Sequence, residues 1–264
     1  MPIHFEHKPG LVVYLTAGDP SIDATREIAI AAIDAGADVI ELGVPFSDPL
    51  ADGPIIQRAS ERALARGTNL KQVLALTRDI RTARPQVGLI IFTYLNPILR
   101  YGLAHFADDA KATGADGVLA TDMIVEEAAD YLAELARVDL APIFLAAPTS
   151  PDARLEAIAT HSKGFVYAIS RTGITGKQQS LAGDAAALVA RIRRWSTLPV
   201  AVGFGISNAE HVAQVAEFAD AAVIGSAIVE LVERTTSAEG PGEAPGAVAR
   251  FIEGLRLSHA APAR

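Results

Sequence analysis

The chain has 264 residues, half of them apolar, and a formal net charge of −8. That is enough apolar side chain for a sizeable core, and the acidic balance argues against a nucleic-acid partner, because neutralising phosphates needs a basic face. The absence of cysteine excludes disulfides, thiolate metal sites and cysteine nucleophiles, and it fits a reducing, cytoplasmic setting. The N-terminus has no apolar signal core. No apolar run reaches the length of a membrane span; the longest, near Leu89 to Leu99, is broken by Thr93, Asn96 and Pro97.

Leu11 to Thr16 is apolar and β-branched and predicts a strand, closed by the turn Ala17-Gly18-Asp19-Pro20. Ser21 or Asp23 can cap a helix that runs to Ala35, with Gly36 just past its end. Val39 to Leu42 predicts a second strand, and its apolar run contains an acid, Glu41. An unpaired buried charge is expensive, so Glu41 either pairs with a core cation or serves chemistry. Beyond the same strand, Asp52 sits on a loop punctuated by Gly43, Pro45, Pro49, Gly53 and Pro54. It can cap a helix or work with Glu41: two carboxylates in different environments can hold different pKa values and divide acid and base work.

Pro54 opens a helix that Gly67 ends, and a second helix follows from Leu70. Gly88 to Tyr94 is the third predicted strand, followed by Asn96-Pro97 and a helix over 103–113. Gly117 to Thr121 is the fourth; Asp122 at its end is a site residue or the cap of an acid-rich helix from Val125 to Arg137. Ala141 to Ala146, Phe165 to Ile169, Pro199 to Gly203 and Ala221 to Ile224 are the fifth to eighth strands, and Asp184 to Arg194 is helical. Residues 235–246 read as a polar linker before a last helix, Val248 to Leu257.

Eight strands alternating with helices predict an α/β fold, one (β/α)8 TIM barrel spanning 1–264. The alternative, an open doubly wound sheet, would want a Gly-rich fingerprint after an early strand. A weak internal repeat favours the barrel: G-A-D-V-I-E-L-G at Gly36, G-A-D-G-V-L-A-T at Gly114 and F-A-D-A-A-V-I-G at Phe218 each place an Asp between a helix end and a strand.

Active sites of such barrels lie on the C-terminal rim, and phosphate is often held after the last two strands. The seventh strand runs into Gly203-Phe204-Gly205, and the eighth ends at Gly225-Ser226 before a helix. Glycine turns and a helix start can bring backbone N–H groups to an oxyanion. The loop Ser170 to Lys177, with two glycines, hydroxyls and two cations, is the lid candidate. The six histidines have no metal-ligand spacing, and no Ser sits in a nucleophile elbow.

These residues resemble the α subunit of tryptophan synthase. The matching pieces are Y-L-T-A-G-D-P from Tyr14, E-L-G-V-P-F-S-D-P-x-A-D-G-P from Glu41, Y-x-N-P-I-L-R-Y-G from Tyr94, S-R-T-G-I-T-G from Ser170 and V-G-F-G-I-S from Val202. They stand in family order over nearly the whole chain. The resemblance implies cleavage of indole-3-glycerol phosphate to indole and glyceraldehyde 3-phosphate for tryptophan biosynthesis. It also implies an α2β2 assembly with a β subunit that carries pyridoxal phosphate, and no cofactor in this chain. By position, Glu41 and Asp52 match the catalytic pair, Tyr167 the active-site tyrosine and Thr175 the lid threonine. Gly176, Gly205, Gly225 and Ser226 match phosphate-binding positions. The sequence departs from the family at its start, where the usual helix is missing or very short. It departs also at Val13 and at Met123-Ile124, which follows Asp122 on the rim. A stand-alone lyase releasing free indole and a regulatory subunit without turnover are the competing readings; intact Glu41, Asp52 and glycine turns argue against the latter.

Overall fold

The computed structural model describes residues 3–169, 178–203 and 205–257. Its strands are β1 (Gly10–Thr16), β2 (Val39–Gly43), β3 (Gly88–Thr93), β4 (Gly117–Ala120), β5 (Ala141–Pro142), β6 (Leu145–Ala146), β7 (Val166–Ile169), β8 (Val200–Gly203) and β9 (Ala221–Ile224). All pair in parallel, in the order β5-β4-β3-β2-β1-β9-β8-β7-β6. The two edges are consecutive pieces of the predicted fifth strand. Between them Ile143 donates to Val118 O at 2.9 Å, and Phe144 O accepts Tyr167 N–H at 3.3 Å. The ladder therefore passes through the break and the sheet closes on itself as an eight-stranded barrel. Pro142 explains the interruption, because it has no N–H to give the ladder.

Strand periodicity sorts the core into two layers. Val12, Val39, Ile90, Leu119, Ile143, Phe165, Ala201 and Val223 fill the barrel interior. Their neighbours, among them Leu11, Val13, Ile40, Leu42 and Ile91, pack outward against the helices. By the same alternation Tyr14, Glu41, Phe92 and Tyr167 follow an interior residue by two and face inward at the C-terminal end. Residues 3–9 are not helical. Ile3 joins the interior cluster and Phe5 stacks on Phe165 at 6.0 Å, so this segment stoppers the N-terminal mouth.

The three aspartates of the sequence repeat have a common role at that mouth. Asp38, Asp116 and Asp220 accept the N–H groups of Leu11 (2.7 Å), Leu89 (2.9 Å) and Val200 (2.9 Å), each at or beside a strand start. Arg256, Arg81 and Arg193 respectively pair with them. Each acid thus satisfies a strand-end donor and ties it to a helix or, at Arg193, to the residue just past one, and the pairing offsets its burial.

The helices are α1 (Ile22–Asp34), α2 (Pro54–Ala65), α3 (Leu70–Ala83), α4 (Leu95–Tyr101), α5 (Leu103–Ala112), α6 (Ala129–Arg137), α7 (Asp152–His161), α8 (Gln178–Ile192), α9 (Ala209–Ala216), α10 (Ser226–Glu239) and α11 (Ala244–Leu257). Ser21 caps α1 by accepting the Ala24 N–H at 3.1 Å, and Gly36 takes the left-handed φ of +109° beyond it. Asn96-Pro97 lies in the first turn of α4, at a position where proline costs no hydrogen bond. Two expectations are corrected. The helix expected over 125–137 is a 3₁₀ turn, Val125–Glu127, followed by α6. The stretch 235–246 is no linker: α10 runs to Glu239, a 3₁₀ turn covers Pro241–Glu243, and α11 starts at Ala244. Its helix is held by the buried stripe Ile228, Val229, Val232 and Thr235, in which the buried Thr235 stands where an apolar residue was sought.

Candidate active site

Glu41 projects from β2 into the C-terminal end of the barrel, fully buried. Neither carboxylate oxygen has a hydrogen-bond partner among the described residues, so the ion-pair reading of this acid does not hold there. Burial alone pushes its pKa up to about 8, because the interior disfavours the charged form. A fully buried acid without partners costs stability, and such a cost is expected where a site keeps a proton available.

Asp52 is partly buried on the loop joining β2 to α2. Its N–H closes a turn on Pro49 O at 3.0 Å, and its carbonyl accepts from Gln57 Nε2 at 2.9 Å. Burial raises its pKa to about 6, partly offset by a hydrogen bond from Tyr94. Two tyrosines border the acids. Tyr14 on β1 is register-paired with Glu41 and packs edge-on to Phe92 at 5.0 Å. Burial raises its pKa above the ordinary tyrosine range, and the charges of Asp52 and Glu41 push the same way. Tyr167 on β7 is likewise raised by burial and then by Glu41, and its hydroxyl lies over Gly203. Any side chain at Gly43 or Gly203 would collide with the Tyr14 or Tyr167 hydroxyl, so these glycines make room for the two rings.

Across the rim, Gly205 holds a left-handed φ of +58° after β8. Gly225 and Ser226 end β9 and start α10, whose first N–H groups face the rim without helical acceptors. Among the described residues a Cβ at either glycine would meet nothing closer than Tyr14 Cβ at 3.6 Å, so on that side the backbone is open to a ligand. Together these elements offer an oxyanion cradle on one side of the mouth and two acids of different pKa on another. Among the described residues no His, Asp or Glu group is arranged to hold a metal ion.

The family model described as tryptophan synthase alpha chain matches residues 3–250. The chain belongs to the tryptophan synthase alpha chain family. The alpha chain of Solibacter usitatus is 52% identical over 229 residues, covering 87% of this chain and 85% of that one. That of Geobacter sulfurreducens is 49% identical, covering 94% and 92%. The alpha subunit from Legionella pneumophila superposes with a TM-score of 0.87 at 36% identity, covering 95% and 92%. A tryptophan synthase complex from Pyrococcus furiosus gives 0.85 at 36% identity, covering 95% and 98%.

In this alpha-family barrel Glu41, Asp52, Tyr167, Gly205, Gly225 and Ser226 all lie on or just inside the C-terminal rim. Thr175 and Gly176, and the lid stretch around them, lie outside the described residues. Asp122 accepts the Leu95 N–H at 2.7 Å, so it caps α4, two helices before it in sequence, and not the one after it. Sequence reasoning passed over Tyr14 and Tyr94 as neighbours of the acids. The signal was available: each stands two residues beyond an interior-facing position at a strand's C-terminal end.

Proposed function

We propose that this chain is the lyase subunit that cleaves indole-3-glycerol phosphate to indole and glyceraldehyde 3-phosphate in tryptophan biosynthesis. The observation that carries this reading is the fully buried Glu41, unpartnered among the described residues, which shares Tyr14 as a neighbour with Asp52 at the mouth that also holds the glycine cradle. At neutral pH Glu41 is protonated and Asp52 ionised. Glu41 delivers its proton to indole C3, and Asp52 accepts the indole N–H as positive charge develops on the ring. The bond from C3 to the glycerol carbon then breaks. Its electrons restore the indole, the hydroxyl on the departing carbon becomes the aldehyde, and that hydroxyl's proton returns to Glu41. One proton is lent and recovered. Tyr167 and Tyr14 wall the ring pocket, and backbone N–H groups at Gly176, Gly205, Gly225 and Ser226 hold the phosphate, while Thr175 is the lid threonine that meets Asp52.

The partner in this reading is a β subunit, in an α2β2 assembly, and the pyridoxal phosphate of the assembled enzyme sits on that subunit. Two features support a partner on this rim. Leu50, Leu99 and Ile124 are exposed at 95%, 56% and 45% around the mouth. A groove of about 480 Å³ beside them is lined by Pro45, Phe46, Asp48, Asn96, Pro97 and Arg100. The setting is cytoplasmic; among the described residues no helix is long and apolar enough to cross a membrane. The test is indole release by the purified chain with and without a β subunit. A rise of ~10-fold or more on addition is expected, which corresponds to a coupling of about 1–3 kcal/mol. Full-speed release by the solitary chain, unmoved by the partner, favours a stand-alone lyase; no release in either case refutes the lyase reading.

A further inference from the structure

Asp52 sits on a loop with few anchors, and its carboxylate must still meet a ring nitrogen with hydrogen-bond accuracy. Its backbone contacts, to Pro49 and Gln57, stay within the loop and the helix that follows it. One side chain from the barrel reaches the residue next to it. Tyr94 follows β3 directly and is buried. Its ring tilts against Phe46 at 5.2 Å, and its hydroxyl oxygen accepts the Ala51 N–H at 3.0 Å. A phenol has one proton to give. With the oxygen already accepting from Ala51, the residue next to Asp52, that proton is left to turn toward the adjoining Asp52 carboxylate.

We propose that Tyr94 is the positioning residue for Asp52: it pins the loop through Ala51 and aims and holds the neighbouring carboxylate as an acceptor. This rests on the reading of Asp52 as the group that meets the indole N–H. The same ring touches Phe46, a wall of the rim groove, so a partner seated in that groove would press on the residue that orients the acid. The titratable groups facing Asp52 among the described residues are Tyr94 from the β3–α4 junction and Tyr14 from β1, with Glu41 on β2 sharing Tyr14 as a neighbour. Asp48 of the same loop is bonded to Ser47. No described cation pairs with Asp52. Loss of the phenol proton therefore has no described cation to compensate it, and the carboxyl should titrate higher.

The test is Tyr94→Phe, which keeps the ring on Phe46 and removes only the hydroxyl. Carboxyl ¹³C NMR of aspartate-labelled protein reads the Asp52 titration directly, with Asp52→Asn to assign the signal. The expected result is a rise of about one pH unit. In the complex with a β subunit, kcat/KM for indole release should then fall about eightfold at pH 5.5 and about twofold at pH 7, and recover by pH 9; a loss of packing alone would lower it equally at every pH. Phe46→Leu, which disturbs the ring contact and keeps the hydroxyl, should leave the Asp52 titration in place. An Asp52 signal that titrates alike in parent and Tyr94→Phe overturns the proposal. A raised Asp52 titration with an unchanged pH–rate profile upholds the positioning contact and refutes instead the role given to Asp52.

Discussion

In Glu41→Gln the strand keeps a side chain of the same length, but the position can no longer ionise. In the folded parent, burial moves this carboxyl from an ordinary 4.5 to about 8. The folded state therefore holds a proton that the unfolded state has already released. A folded pKa raised above the unfolded one contributes stability that is complete below the ordinary value and is lost as pH climbs through the folded value. From pH 6 that loss runs at about 1.4 kcal/mol per pH unit and levels off through pH 8, for ~3 kcal/mol between pH 6 and pH 9. The glutamine variant lacks this slope. Urea unfolding of both proteins without ligand, at several pH values, should show the gap in unfolding free energy moving ~3 kcal/mol in the variant's favour between pH 6 and pH 9. Indole release should meanwhile fall by at least ~100-fold, because the amide can neither give nor take the proton. Parallel stability curves would mean that Glu41 is solvated or paired in solution, and the assignment of a stored proton would fail with them.

Four further outcomes are expected. The kcat/KM profile for indole release should be bell-shaped, rising through about 6 as Asp52 ionises and falling through about 8 as Glu41 loses its proton; a profile flat from pH 5 to pH 9 would contradict both assignments. Asp52→Asn should depress turnover and leave affinity for a glycerol phosphate ligand nearly unchanged, as read by calorimetry. Gly205→Val should cost about 1–2 kcal/mol of stability, because its φ of +58° strains a branched residue, and should weaken phosphate-ligand binding more than indole binding; equal weakening of both would mean general damage to the rim. Arg62→Ala should cost ~2 kcal/mol in urea unfolding, because Arg62 forks onto the buried Asp19 with bonds of 2.9 and 2.6 Å and also reaches Glu233 on α10.

The barrel was legible because its strands repeat the same grammar: apolar β-branched runs bounded by glycine and proline, with helices between. Pro142 inside the fifth run was the sign that this strand is split, and it was read simply as part of the strand. The segment at 235–246 misled for a physical reason. Thr, Ser, Gly and Pro lower local hydrophobicity, yet one buried threonine at helical spacing suffices to continue the stripe of α10. Glu41 stood out as an acid in an apolar run. Its lack of a partner was not legible, because any of the chain's cations could have reached it in three dimensions. The repeat aspartates show the opposite case. Asp38, Asp116 and Asp220 look as anomalous in sequence as Glu41, but arginines far along the chain satisfy them. The link from Tyr94 to Asp52 spans two strands and was invisible to any local pattern.

Arg256 on α11 donates to Pro9 O at 2.9 Å, a contact between positions 247 apart in the sequence, and also bonds Gly36 O and Asp38. Both described ends of the chain are thereby fastened to the base of the barrel, opposite the mouth where indole would leave. A short peptide joining them would span little distance, so the gene could be cut elsewhere and rejoined here without redrawing the barrel. A carrier domain or surface anchor attached at this base would leave the reactive mouth open to solvent and to a second subunit. Asp38 marks the cost of that freedom: once it loses Arg256, a carboxylate holding the first strand would stand in the interior with, among the described residues, the partly exposed His7 alone to balance it.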